Sequence, residues 1–94
     1  MKTYDINQSK YELTKNFRDG FELSEVESKL TDYFEDFDYV VGDWAYGKLR
    51  LKGFYKSGSK KTKPINDIAI LDKYLEDNCA KNCRYFVIKK INWY

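Results

Sequence analysis

Residues 48–55, KLRLKGFY, set Lys48, Arg50 and Lys52 in alternation with Leu49, Leu51 and later Tyr55. A period of two is the signature of an extended strand, whose successive side chains point to opposite faces. One face then carries Leu49, Leu51 and Tyr55 and belongs to a core. The other carries Lys48, Arg50, Lys52 and Phe54, with like charges about 7 Å apart along the strand. Ala45-Tyr46-Gly47 lies where a hairpin connection belongs, and the apolar run YVV (39–41) supplies the antiparallel partner. Gly42-Asp43-Trp44 between them reads as a bend in which glycine relieves the backbone and Trp44 covers the end of the core.

The remaining elements follow from the same patterning. A polar lead occupies residues 1–10, and YELTKNF (11–17) alternates as a half-buried strand that stops at the turn dipeptide Asp19-Gly20. Ser24 and Glu27 have the spacing of a capping box, and Val26, Leu30, Tyr33, Phe34 and Phe37 recur at helical intervals, which predicts a helix over about 24–37. KSGSKKTKP (56–64) has no apolar residue and reads as a mobile, exposed basic loop. Asn66 is placed to cap a second helix with Ile68, Leu71, Leu75 and Cys79 on one face, ended by Asn82. CRYFVIKKI (83–91) is the last strand. The order strand, helix, strand, strand, helix, strand predicts a single α+β domain over residues 1–94. Its antiparallel sheet would carry both helices on one face, in the split arrangement of ferredoxin-like folds.

Length and composition narrow the class. The chain has 94 residues, enough for one core, and 43% hydrophobic residues with 18% aromatic, a content that can offset the entropy of ordering a chain. No apolar run resembles a signal peptide or a membrane span, so a cytoplasmic protein without membrane association is expected. Cys79 and Cys83 are the only cysteines and there is no histidine. Tetrahedral zinc wants four ligands, so neither a metal nor another cofactor is expected, and the cysteines read as reduced, buried thiols.

Net charge is only +2, yet its distribution is uneven. Residues 19–43 hold nine acidic side chains against Lys29 alone, whereas residues 44–66 hold seven basic ones and no acid. Two electrostatic sides are expected.

The string YVVGDWAYGKLRLKGFY, preceded by NFRDGF (16–21) and followed by CAKNCRYFVI (79–88), closely resembles the YutD-like family of small bacterial proteins found mainly in Firmicutes. The resemblance spans residues 11–90 and rests on Arg18-Asp19-Gly20-Phe21, Gly42-Asp43-Trp44, Leu49-Arg50-Leu51, Gly53-Phe54 and the two cysteines four apart. It departs from the family at Asn82, where a glycine is frequent. What the resemblance implies is a cytosolic bacterial origin; it brings no catalytic residue or cofactor to these positions.

Read for chemistry, the basic face suggests binding of RNA or another phosphate-rich polymer. Cations along a strand can follow a phosphate backbone while an exposed ring stacks on an unpaired base. The residues expected to do this are Lys48, Arg50, Lys52, Phe54, Lys56, Lys60 and Lys61, with Arg18 as a neighbour. KGFY (52–55) matches the opening of the RNP1 motif of RNA-recognition domains, but the aromatics that should follow are missing. The plain competitor is a solvated face whose lysines discourage edge aggregation. The alternative function is a protein-interaction adaptor docking through Trp44 and Tyr46, residue types enriched at binding hot spots, or through the acidic first helix. A remoter alternative is a metal-dependent phosphodiesterase using Asp19, Asp38 and Asp43 beside Arg18. With no histidine for acid-base work, catalysis is not expected, and a monomer is.

Overall fold

The computed structural model describes residues 2–78 and 83–91. One antiparallel sheet contains β1 (Thr3–Ile6), β2 (Ser9–Phe17), β3 (Tyr39–Ala45), β4 (Lys48–Phe54) and β5 (Tyr85–Lys90), in the spatial order β1-β2-β5-β3-β4. Two short helices complete it, α1 (Leu23–Lys29) and α2 (Leu71–Asn78). The α+β class and the antiparallel sheet are therefore as the sequence suggests. The ferredoxin-like arrangement is not, for two reasons.

The first is an additional strand. The polar lead is β1, hairpinned onto β2 through Asn7 and Gln8, both in the left-handed region (φ 51° and 68°). A two-residue loop with both φ positive matches the right-handed twist of the strands it joins. Tyr4 and Ile6 alternate with Thr3 and Asp5, so the lead itself has a period of two. Ile6 is buried and Tyr4 packs against the core.

The second is the placement of the helices, which lie on opposite faces of the sheet. Val26, Leu30 and Phe34 pack with Val40, Leu49, Phe86 and Ile88. Ile68, Ile70, Leu71, Tyr74 and Leu75 pack instead against Val41, Phe54 and Val87. Adjacent residues of β3 and β5 thus serve different cores, and no face of the sheet is left free of helix. Burying a side chain such as Phe86 or Phe54 completely contributes about 1.5 to 3 kcal/mol, so each layer is worth having.

The helical stripe over 24–37 is one continuous apolar seam on broken backbone. α1 ends at Leu30 (φ −82°, ψ 97°), and after an extended Thr31 the chain makes a separate 3-10 turn, Asp32–Asp36. β-Branched Thr31 and the aspartates at 32 and 36 are weak helix formers, and the break still delivers Phe34 and Phe37 to the core reached by Val26 and Leu30. Ser24 falls inside α1 rather than at its cap, and Glu22, the N-cap, makes no side-chain capping bond. The second helix likewise begins later than expected. Asp67 caps a 3-10 turn, Ile68–Ile70, by accepting from the Ala69 N–H at 2.9 Å, and α2 continues from it. Asn66 instead accepts from the Lys63 N–H. Cys79 and Asn82 lie outside the described residues.

Gly42-Asp43-Trp44 is not a bend. β3 runs straight through it, paired with β4 from Tyr39↔Phe54 to Ala45↔Lys48, and turns at Tyr46-Gly47 (φ 53° and 75°) in a second two-residue hairpin. Gly42 is there for room. A Cβ at this position would meet the Phe86 ring at 2.2 Å, so the ring packs directly on the backbone.

Candidate functional site

The basic strand lies at one margin of the molecule. β4 is last in the sheet, and its Lys48, Arg50, Lys52, Phe54 row lies on the α2 side, buried at Phe54, half-buried at Lys52 and exposed at Lys48 and Arg50. Leu49 is buried and Leu51 half-buried, as the alternation requires, but three of the four residues opposite them have internal work. The Arg50 Nε donates to Asp43 Oδ1 at 2.8 Å, and its terminal nitrogen donates to the Asn78 carbonyl at 2.7 Å. Asp43 is 1% exposed, while the Arg50 side chain is 48% exposed. That bonding holds the guanidinium pKa above its usual value, the Asp43 hydrogen bond first and its charge second. The ammonium of Lys52 sits 5.2 Å from the Phe54 ring and 5.7 Å from that of Tyr74. Phe54 itself is fully buried, edge-on to Tyr74, and cannot stack on a base.

The loop lysines are divided between internal and free. Lys61 pairs with Asp36, and Tyr55 donates to the same carboxylate, together drawing its pKa below the ordinary value. The Lys56 backbone N–H donates to Asp38 Oδ2 at 2.9 Å. Lys90 reaches Glu35, which also accepts from Ser9. The acidic stretch and the basic loop are thus in contact, and the two electrostatic sides partly cancel each other. The loop is itself a chain of turns tied by Thr62, which donates to the Lys56 carbonyl at 2.8 Å, and by Asn66. The side chains of Lys48, Lys56, Lys60 and Lys63 have no ionic partner among the described residues. Arg18 is exposed in a left-handed turn after β2 (φ 56°), with β5 and β3 between it and β4, so it does not extend the row.

Trp44 and Tyr46 have different fates. The Trp44 indole N–H donates to the Gly20 carbonyl at 2.7 Å, and the Arg84 guanidinium covers its ring at 4.6 Å while also holding Glu22 and the Asp19 carbonyl. Trp44 is a half-buried clasp between the turn after β2 and the start of β5. Arg84, which organises that clasp, is invisible to motif reading because its partners Trp44, Glu22 and Asp19 lie far from it in sequence, the last two more than sixty positions away. Tyr46 is fully exposed at the hairpin tip, 103% of its reference surface, and projects from a rigid turn. Together with Trp44, Ala45, Arg50 and Asn78 it borders a cleft of about 360 Å³. A second cleft, about 230 Å³, lies farther along β4 among Tyr33, Phe37, Leu51, Gly53 and Ile65. Tyr33 and Ile65 there are 69% and 72% exposed; the helical patterning placed Tyr33 in the buried stripe, which the break after α1 prevents, and Ile65 carried no signal in the loop.

The three aspartates considered for a metal do not share a centre. Asp19 is in the exposed turn, Asp38 caps the Lys56 N–H, and Asp43 is sealed under Arg50. Among the described residues no group of three potential ligands is placed to hold an ion. Cys83 is disulfide-bonded, which overturns the expectation of two reduced thiols. No helix among the described residues is long and apolar enough to cross a membrane.

Known proteins place this geometry in a lineage. A family profile described as "Putative antitoxin YutD-like" matches residues 5–89. A protein of Bacillus subtilis strain 168 named "Putative antitoxin YutD" is 41% identical over 86 residues, 92% of this chain and 94% of its own length. The solution NMR structure of protein yutD from B. subtilis has a TM-score of 0.81 and 38% identity, covering 98% of this chain and 84% of its own. Matched across nearly its whole length in both sequence and fold, the chain belongs to the YutD-like family.

Proposed function

We propose that the protein is a non-catalytic cytoplasmic module that docks a protein partner along the β4 side of its sheet. The observation that carries this reading is Tyr46, a wholly exposed aromatic held on a two-residue hairpin beside the half-exposed Arg50. A rigid ring loses little conformational freedom on binding, and Tyr and Arg are hot-spot residues for that reason among others. The B. subtilis relative is named an antitoxin, which fits a role exercised against a partner rather than on a substrate.

The experiment is affinity capture from native cells with the tagged chain and its Tyr46→Ala variant, with and without nuclease. Tyr46 supports no core contact, so the variant keeps its fold, and the expected outcome is a nuclease-resistant protein retained by the wild type and lost by the variant.

A competing reading keeps the phosphate-binding role. It is favoured by Lys48, Lys56, Lys60 and Lys63, whose side chains have no ionic partner among the described residues. On this reading single-stranded RNA binds with a log affinity falling against log salt by about 0.7 per phosphate contact. Replacing Lys48, Lys56 and Lys60 by glutamate then abolishes binding. Capture that disappears with nuclease and follows these lysines would favour it over protein docking.

A further inference from the structure

We infer that the partner enters the site as an added β-strand: an extended segment with carboxylates on one face and bulky apolar side chains on the other, paired along the outer edge of β4. The inference rests on the protein-docking reading above and names the chemistry of the partner.

The edge is open. Among the described residues β4 pairs with β3 alone, so one side of Lys48–Phe54 has no strand beside it. The chain itself shows that this side accepts an extended neighbour. Just beyond β4, the Tyr55 N–H donates to the Asn66 carbonyl at 2.7 Å and the Ile68 N–H to the Tyr55 carbonyl at 2.9 Å, a parallel bridge of Tyr55 with Asp67. The returning loop therefore occupies the end of the edge and stops there, leaving the stretch from Lys48 onward unpaired.

Charge selects the occupant. β4 has no acidic residue and presents Lys48, Arg50 and Lys52 on one face. A second copy pairing edge to edge would set these cations opposite one another, and like charges directly across a strand pair are destabilising. The row that keeps the chain from pairing with itself is complementary to a strand bearing Asp or Glu at alternate positions. Lys73 of α2 lines a further cleft with Lys52, but Asp77 in the same lining pairs with it at 3.4 Å, so the charge on that face is carried by β4.

Shape selects the other half of the pattern. Side chains alternating with those carboxylates would point to the α1 face, where Tyr33, Phe37, Leu51, Gly53 and Ile65 border the cleft of about 230 Å³. That is below the roughly 300 to 1,000 Å³ of a small-molecule pocket and suits one large apolar side chain. Main-chain hydrogen bonds would supply affinity and the two faces specificity, the usual division in strand addition.

The probe is a short capped peptide alternating Glu with Val and Phe, titrated into the isotope-labelled full-length chain and followed by NMR. The expected result is shift changes along β4 and at Tyr33 and Ile65, with slowed exchange of β4 amides. Lys48→Glu, at an exposed position, should weaken binding about threefold, since one cross-strand pair turns from attractive to repulsive. A peptide of the same length with proline at alternate positions should not bind, because proline cannot donate to the ladder. No shifts with the alternating peptide, equal binding of the proline peptide, or a β4-paired dimer of the free chain would overturn the inference. If Tyr46→Ala releases a captured protein but the charge reversal leaves its capture unchanged, docking stands and strand addition falls; if neither variant affects capture, the docking reading falls with it.

Discussion

Asp43 and Arg50 form an ion pair with unequal partners, and the inequality sets what each substitution does. The carboxylate is sealed and its Oδ2 has no hydrogen-bond partner among the described residues, whereas the guanidinium is half in water. Removing Arg50 strands a buried charge; removing Asp43 leaves a cation that solvent can receive. Arg50→Met should therefore destabilise by about 2 to 4 kcal/mol, more than Asp43→Asn, and Lys48→Ala should fall within about 0.5 kcal/mol of wild type. Urea unfolding midpoints of the three variants check the order, and an Asp43→Asn loss equal to or above that of Arg50→Met contradicts it. The pairing was within reach of the sequence. With Tyr46-Gly47 taken as the two-residue loop, the register sets Asp43 directly opposite Arg50. Ending the first strand at residue 41 hid this, because a glycine that makes room for Phe86 looks the same in sequence as one that makes a bend.

Among the elements, legibility followed how many surfaces each one served. β4 was plain because one face is apolar and the other charged, which yields a clean alternation. β3 and β5 carry adjacent apolar residues, Val40-Val41 and Phe86-Val87-Ile88, and such runs are what strands buried on both faces show. That was the available sign that helices cover both sides of the sheet. β1 escaped because a four-residue strand offers only two alternations, and its turn lacks the glycine that usually announces one. Gln8 holds φ at 68°, where a side chain is strained and glycine is not. Gln8→Gly should stabilise the protein by about 0.5 to 1 kcal/mol, raising the denaturation midpoint with an unchanged slope. Gly42→Ala has the opposite sign: its Cβ would enter the Phe86 ring, and a loss of about 1 to 3 kcal/mol is expected, partly recovered by adding Phe86→Leu.

For the molecule as a whole, folding couples to three tyrosines among the described residues, Tyr11, Tyr55 and the half-buried Tyr74, each held above its ordinary pKa, and the coupling has a definite sign. Burial in the core on the α1 side of the sheet, with Glu35 nearby, pushes the Tyr11 hydroxyl from its ordinary 10 up to about 12. Tyr55, donating to Asp36 where the basic loop meets the acidic turn, is likewise pushed up to about 12, chiefly by that hydrogen bond. In each case the folded state holds its proton more tightly than the unfolded chain does. The stabilisation is complete below pH 10 and is lost as pH rises from 10 towards 12, because there the unfolded chain has released protons the folded one still binds. For Tyr11 alone the span corresponds to about 2 to 3 kcal/mol, since each pH unit between the two values is worth 1.36 kcal/mol. Tyr55 is half-exposed and contributes less. Denaturant titrations between pH 8 and about 12 should show stability flat to about pH 10 and falling beyond it. Tyr11→Phe should flatten much of that fall while retaining the ring in the core, and Tyr55→Phe should flatten a smaller part. The two reductions should fall short of strict additivity, because Glu35 beside Tyr11 and Asp36 beside Tyr55 are neighbours in one 3-10 turn and both face Lys90. A fall of unchanged steepness in the Tyr11→Phe protein would mean that the alkaline transition belongs to other groups, and that burial of Tyr11 does not hold the phenol in the protonated form.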